Sequence, residues 1–349
     1  MSPVVDRLLV VGTSTLARKI LNETQTRRSL GYTLLGVVAE ASDGARPSLP
    51  CDVVGSIDDL PAILARLEPR RLVVALDESE PVPVAALLRA KMLGIAVERG
   101  EDFCERLSRK ISIESLDSRD FVLAPQLRWS RLDAIMTRVL NAVAAAAALI
   151  AFVPLLAFIA AAILLDSGRP VLFVQERVGL GGRPFRLMKF RTMSPGGVRR
   201  SEWAGDNAHR VTRTGRWLRK FRLDELPQLF NVLRGDMNFV GPRPHPLSNF
   251  EMLATVARNV AESGVSIPYY LLRSSVHPGI TGWAQVRYGY ANDIVQEIEK
   301  LRYDLYYVKH RSLWLDLRIV AETLRVVFTG RESEEVHSAK KASARLRAG

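Results

Sequence analysis

The sequence predicts an α/β protein in two parts: an N-terminal Rossmann-like parallel-sheet domain, then a mostly α-helical, membrane-associated domain with a re-entrant helix hairpin. Three observations carry this expectation. Between Arg7 and Glu98, short β-branched runs alternate with amphipathic stretches of helix length. From Val139 to Leu165 the chain runs 27 residues without a charge. The positive charge is also uneven: the formal net charge is +12, yet residues 166–246 alone hold 16 Lys and Arg against 7 Asp and Glu.

A chain of 349 residues is long enough for two cores, since a domain takes about 100–200 residues. A surplus of Lys and Arg points to an anionic partner, whether phosphate, nucleic acid or an acidic membrane surface. Only Cys51 and Cys104 occur, far from any pair of histidines, so neither a disulfide framework nor a zinc site is indicated and a reducing setting fits. The start, with Asp6 and Arg7 before a short apolar run, reads as a first strand and not as an export signal.

In chain order, RLLVV, YTLLGVVA, RLVVAL and IAVE read as strands, with STLARKILNETQ, DDLPAILARLE and VAALLRAKM as the helices between them. The turn from Gly12 to Ala17 stands where a Gly-rich dinucleotide loop would, but Ser14 and Ala17 replace two of its glycines. Glu40 follows the second strand, in reach of a ribose. Ser14 lacks the backbone freedom for close approach to a pyrophosphate, so an accessory domain over 1–125 is the preferred reading. The polar stretch Glu101–Ser130 loses periodicity and reads as connector. The expected layout is therefore a connector at 126–138, a membrane helix at 139–165, a second domain at 166–330 and a disordered tail at 331–349.

Pro154 lies inside the uncharged run, where it removes one amide donor and favours a bend. Both flanks are basic, with Arg128, Arg131 and Arg138 before and Arg169, Arg177, Arg183 and Arg186 after. Positive flanks favour the cytoplasmic side, so a helix bent at Pro154 that enters and leaves by one face satisfies both. Near the C-terminus, Ile294–Thr329 has helical spacing and is expected to form amphipathic helices, some at the interface through Tyr306, Tyr307 and Trp314.

The densest chemistry lies in LRKFRLDELPQLFNVLRGDMNFVGPRP, Leu218–Pro244. Asp224 and Glu225 are expected to open a helix that contains Pro227 and stops at Gly235. First-turn acids also serve as helix caps, and spacing alone leaves that reading open. The surrounding cations, Arg191, Arg213, Arg216, Arg219, Lys220, Arg222 and Arg243, suit a metal-bridged polyphosphate, for which a carboxylate can be metal ligand or nucleophile.

Four segments resemble the bacterial polyprenyl-phosphate sugar-phosphate transferases, the monotopic phosphoglycosyl transferase superfamily. They are QERVGLGGRPFRLMKFRTM, HRVTRTGRWLRKFRLDELPQLFNVLRGDMNFVGPRP, HPGITGWAQVR and YDLYYVKHRSLWLDLRI, in the family's order over nearly all of 130–330. GWAQVRYGY and SRKISIESL look like the exopolysaccharide, exosortase-associated branch.

The resemblance implies that Asp224 attacks the β-phosphorus of a UDP-sugar and expels UMP, and that polyprenyl (undecaprenyl) phosphate then takes the sugar 1-phosphate. Glu225 would support Mg²⁺ binding with Asp224, or proton handling. Lys189, Arg191 and Arg243 would hold phosphates, and Gln285 with the HPGITGW loop would shape the nucleotide or sugar pocket. Asp304 and Asp316 match acids of the C-terminal motif, where a structural ion pair is an equal reading. The implied setting is the cytoplasmic face of a bacterial inner membrane, among membrane lipids, with a homo-oligomer compatible and no nucleic acid partner.

Three departures stand out. Arg222 occupies a position where the family often has Ser or Thr, the bend motif reads Val153-Pro154 where Ser-Pro is frequent, and the chain begins at the Rossmann-like domain where large members place transmembrane helices first. A non-catalytic membrane scaffold or sensor is the alternative, and it predicts erosion of an acid pair that is intact here.

Overall fold

The computed structural model describes residues 6–26, 31–40, 49–77, 80–113, 130–194, 210–258, 269–288 and 294–329. The expected tail at 331–349 and residues 126–129 of the expected connector lie outside them. The chain divides into two compact units, Met1–Leu116 and Asp117–Gly349.

In the first unit β1 (Asp6–Val11), β2 (Tyr32–Ala39), β3 (Val53–Ser56), β4 (Arg71–Val74) and β5 (Ala96–Arg99) form one sheet in the order β3-β2-β1-β4-β5. Every pairing is parallel, as the alternation predicts. Three of the crossovers carry a described helix: α1 (Thr15–Thr26) between β1 and β2, α2 (Leu60–Leu67) between β3 and β4, and α3 (Val84–Met92) between β4 and β5.

Because strand residues alternate between faces, Leu8 and Val10 pack with Ile20, Leu21 and Phe103 on one side, while Leu9 and Val11 pack with Leu60, Ile63 and Leu64 on the other. At about 25 cal/mol per Å² of apolar surface buried, these two layers dominate the unit's stability.

The stretch expected to be connector from Glu101 is in part a helix of this core. α4 (Gly100–Ser108) buries Phe103, Cys104 and Leu107, and Ile111 and Ile113 beyond it are buried too. Charged neighbours dilute that apolar spacing in the sequence, and a nine-residue helix shows only two repeats of it.

The second unit opens with a single 37-residue helix, α5 (Arg131–Ser167), with Pro154 inside it. It begins within the expected connector because Ser130 caps it: the Asp133 amide donates to Ser130 Oγ at 3.1 Å, and that hydroxyl donates to the Asp133 carboxylate at 2.7 Å. By length and composition α5 could cross a membrane: its most apolar window has mean hydropathy 2.9 and is only 17% buried.

Both ends of α5 pack on the rest of the unit. Ala145 sits with Leu187, Val232 and Met237, and Ile159 and Ile163 sit with Phe190 and Leu218.

After α5, β6 (Leu172–Val178) and β7 (Pro184–Phe190) form an antiparallel hairpin, and α6 (Arg213–Lys220) follows. α7 (Gln228–Arg234), β8 (Asn238–Val240) and α8 (Leu247–Arg258) come next, with β9 (Gly279–Thr281) pairing parallel to β8. α9 (Trp283–Arg287), α10 (Ile294–His310) and α11 (Leu313–Thr329) complete the unit.

The amphipathic reading of Ile294–Thr329 holds for α11, whose Leu313, Trp314 and Leu317 are exposed. It is corrected for α10. Tyr307 is 1% exposed and Tyr306 stacks on Trp283, because α10 is covered by α9 and the turn at Tyr270–Ser275 and so has no bare apolar face.

Candidate active site

The acid pair does not open a helix. Asp224 and Glu225 belong to a 3₁₀ turn, Leu223–Glu225, and α7 begins three residues later with Pro227 as its N-cap. Arg222 precedes the turn in the left-handed region, φ 53°, and gives no side-chain cap. A non-glycine residue held there costs about 1–2 kcal/mol, so the turn is imposed by its surroundings. Gly235 closes α7 with φ 100°, the left-handed stop its position predicts.

Two devices hold α7. The Asn231 side chain, fully buried, accepts from the Met188 amide (3.0 Å) and donates to the Arg186 carbonyl (2.7 Å), tying α7 to β7. Arg138 of α5 donates to the Val232 and Leu233 carbonyls at 2.6 Å each and so covers the helix's other end. Nothing in the sequence motif marks Arg138, but an Asn inside an apolar helical run was a legible sign of a buried polar clamp.

With β7 held in this way, Lys189 faces the acid pair. From the loop after β8, Arg243 donates to Glu225 Oε1 at 2.9 Å, a pair only 21% and 7% exposed. Burial alone would raise the Glu225 pKa, but the charges of Arg243, Arg222 and Lys189 outweigh it and hold the carboxyl below its ordinary value. Asp224 goes the other way: burial and then the Glu225 charge raise its pKa against the pull of Lys189, Arg219 and Arg243.

Two adjacent carboxylates are thus driven apart, one fixed as an anion and one more basic than usual. Among the described residues the Asp224 carboxylate makes no hydrogen bond or ion pair. Burial and then the charges of Arg243 and Arg177 depress Lys189 to about 8.

Behind Arg243 lies a buried polar network of which the sequence reading named only Asp304, with an ion pair as one of its two readings. Arg273 donates from Nη2 to the Arg243 carbonyl and to Asp304 Oδ2, both at 2.9 Å, and its Nη1 lies 2.7 Å from His245 Nδ1. That nitrogen is also 2.7 Å from the Tyr270 hydroxyl. Burial and then the Arg273 charge push His245 well below its ordinary pKa, leaving a neutral ring able to accept. The fixed arrangement holds the Pro242-Arg243-Pro244 backbone.

The structure therefore brings together Lys189, Asp224, Glu225 and Arg243. Asp304 stands one residue removed, acting through Arg273. Arg191 points away from the acids: its Nη2 donates to the Ser167 and Gly168 carbonyls at 2.8 and 2.6 Å, closing the C-terminal end of α5. Asp316 accepts from the Tyr307 hydroxyl at 2.8 Å, and burial raises its pKa to about 6. Gln285 lies on α9 and donates to the Ile280 carbonyl of β9 at 3.0 Å.

The pair presents hard oxygen donors to a divalent cation. No cluster of three or more His, Cys, Asp or Glu occurs among the described residues. Two adjacent carboxylates fit an ion such as Mg²⁺, which takes one or two carboxylates and completes its shell with water and phosphate oxygens.

In the first unit the Gly12 loop approaches β4 closely: a Cβ on Gly12 would lie 2.2 Å from the Ala75 carbonyl oxygen. The Ser14 hydroxyl donates to that same carbonyl at 2.7 Å. Glu40 is occupied by the loop, since Thr13 donates to it from its amide at 3.1 Å and from its hydroxyl at 2.8 Å.

Residues 132–330 match the family described as Bacterial sugar transferase. A UDP-N-acetylgalactosamine-undecaprenyl-phosphate N-acetylgalactosaminephosphotransferase of Aeromonas hydrophila is 39% identical over 245 residues, covering 70% of this chain and 55% of that protein. A UDP-glucose:undecaprenyl-phosphate glucose-1-phosphate transferase of Caulobacter vibrioides is 43% identical over 197 residues, 55% of this chain and 69% of the relative. One of the same name from Xanthomonas campestris pv. campestris is 33% identical over 333 residues, 91% of this chain and 66% of the relative. The chain spans about half the length of the Aeromonas protein, and the Xanthomonas match runs through both units.

Proposed function

The chain belongs to the bacterial sugar transferase family, and from that premise we propose that it transfers a sugar 1-phosphate from a UDP-sugar to polyprenyl (undecaprenyl) phosphate through a covalent intermediate on Asp224. The observation that carries this reading is the division of the acid pair: Glu225 is held as an anion by Arg243, while Asp224 lies without a hydrogen bond among the described residues and is more basic than an ordinary aspartate.

In the first displacement an Asp224 oxygen forms a bond to the β-phosphorus, the bond from that phosphorus to the bridging oxygen breaks, and UMP leaves with the electron pair. In the second, an oxygen of the lipid phosphate bonds to the same phosphorus and the Asp224 carboxylate departs, giving polyprenyl-diphosphate-sugar.

Lys189 and Arg243 supply fixed positive charge beside the reacting phosphates, and β7 and the proline-flanked loop keep them in place. Asp224 and Glu225 would hold Mg²⁺, which when bound neutralises charge on the diphosphate.

For α5 we propose a re-entrant arrangement in a bacterial inner membrane, with both units on the cytoplasmic face. A straight 37-residue helix would be about 55 Å long at 1.5 Å per residue. Yet Arg138 near its start and Ser167 at its end both bond to the same folded unit, while Ile150, Val153 and Phe158 between them are exposed. The reaction would initiate exopolysaccharide synthesis, with the parallel-sheet unit as accessory.

The test is to incubate the full chain with Mg²⁺, polyprenyl phosphate and a panel of UDP-sugars and to measure UMP release and labelled lipid. With the lipid omitted, intact mass should show one sugar-phosphate on the protein and none on Asp224→Asn. Turnover retained in Asp224→Asn would sink the covalent reading. Cysteines placed at Ser118 and Leu180, with Cys51 and Cys104 replaced by Ala, should be labelled from the same side of the membrane.

A further inference from the structure

Beside the first turns of α5 lies a cavity of about 250 Å³ whose polar lining is Thr137, Arg138, Asn238, Ser275, His277 and Arg311. Each of these side chains can donate a hydrogen bond, two are permanent cations, and no carboxylate faces the space. Positive groups converging in a partly enclosed site repel one another, and an anion placed among them reverses that cost.

The two arginines are not free to swing apart. Arg138 is held by the carbonyls that end α7, and Arg311 stands beside Tyr307 and Asp316 on its other side. Burial and then the charges of Arg311 and Arg138 lower the His277 pKa, as expected for a ring facing two cations with no anion between them.

The cavity is not the site of the acid pair. Asp224 and Glu225 precede α7, whereas Arg138 grips its last carbonyls, and seven residues of helix rise about 10 Å. Its flank is apolar and bare. On the same turns of α5, Leu132 is 72% exposed, Ile135 and Met136 59% and Val139 53%.

We infer that this cavity binds the phosphate group of an anionic lipid, whose acyl chain lies along the bare side of α5. The recognition chemistry is that of a phosphate anion, which free phosphate shares; the apolar turns beside the cavity favour the lipid. That preference rests on the membrane placement proposed for α5, whereas the anion site itself does not.

The test is native mass spectrometry of the full chain in a neutral detergent, titrated with phosphatidylglycerol, phosphatidylcholine, inorganic phosphate or UMP. Phosphatidylglycerol should be retained about tenfold over phosphatidylcholine, the scale of a lost charge-assisted contact. Arg311→Gln and His277→Gln, each checked for an unchanged melting transition, should reduce that preference. His277→Gln carries the test if Arg311→Gln does not fold.

Displacement of the lipid by millimolar inorganic phosphate would assign the same site to free phosphate. Equal retention of the two lipids with no phosphate bound, a preference that survives both substitutions, or displacement by UMP would overturn the inference. Failure here leaves UMP release in the transferase assay untouched, so it is distinguishable from failure of the proposed reaction.

Discussion

Two acidic residues stand where sequence motifs place nucleotide chemistry: Glu40 in the parallel-sheet unit and Asp224 in the helical unit. Glu40 follows β2, in reach of a Gly-rich turn. But both of its oxygens accept from Thr13, and Ser14 donates to the Ala75 carbonyl just past β4, so the loop has satisfied its own polar groups. Asp224 is the reverse case: its neighbour Glu225 accepts from Arg243 through one oxygen, while Asp224 has charge around it and no hydrogen bond among the described residues. A carboxylate is available for chemistry when the surrounding fold leaves it unsatisfied, and a motif does not report that.

The sharpest way to break this contrast is to neutralise each acid in turn. Asp224→Asn should lower UMP release by at least about 10³-fold, because a carboxamide cannot form the acyl phosphate. Glu40→Gln should leave turnover within about twofold, since its effect is confined to a loop hydrogen bond worth about 1 kcal/mol. A large loss in Glu40→Gln, measured in the same assay, would give the first unit a direct part in the reaction.

Arg243→Ala should cost about 10- to 100-fold in kcat/KM, with Arg243→Lys recovering part of it, because Glu225 would be left buried without its partner.

A smaller effect is expected in the pH profile. Lys189 is charged below its depressed pKa of about 8, so kcat/KM should fall as pH rises through that value. On the acid side it should rise as Asp224 loses its proton, above the ordinary aspartate range. Lys189→Arg should remove the alkaline limb while leaving the acid limb in place.

A separate effect, on stability and not on turnover, is expected at a distance from the acids. The Asp316 pKa is raised from 3.8 to about 6, so the folded state holds that proton more tightly than the unfolded chain. The associated stability is fully present below pH 3.8 and is lost as pH rises through about 6. The shift corresponds to about 3 kcal/mol, so Asp316→Asn, which keeps an acceptor for Tyr307, should flatten the change in melting temperature between pH 4 and pH 7.

Much of this molecule was legible before its fold. The β-branched runs from RLLVV to IAVE became a parallel sheet because each run is short, apolar and separated by a helix-length amphipathic stretch. α5 was legible as a long apolar helix for a similar reason: length and absence of charge are properties of a continuous segment. α4 was not, because Phe103 and Leu107 sit in a helix of only about two turns inside a charged stretch. Nor was the β6–β7 hairpin, although LFVQERV alternates, since so short a two-residue period flanked by cations and glycines suits a loop as well as a strand.

The chain by itself determined the parallel sheet, the uncharged helix, the adjacent acids and the cationic field around them, because these depend on neighbours in sequence. The tertiary structure decided which cations meet the acids. Lys189 and Arg243 reach Asp224 and Glu225 from either side in sequence because Asn231 fixes β7 to α7 and Arg273 fixes the loop after β8. Arg191, two residues from Lys189, is carried instead to the end of α5. Periodicity states which face of an element is apolar, but the partner of a polar side chain is set by packing between elements, and a buried charge takes whatever that packing brings within reach.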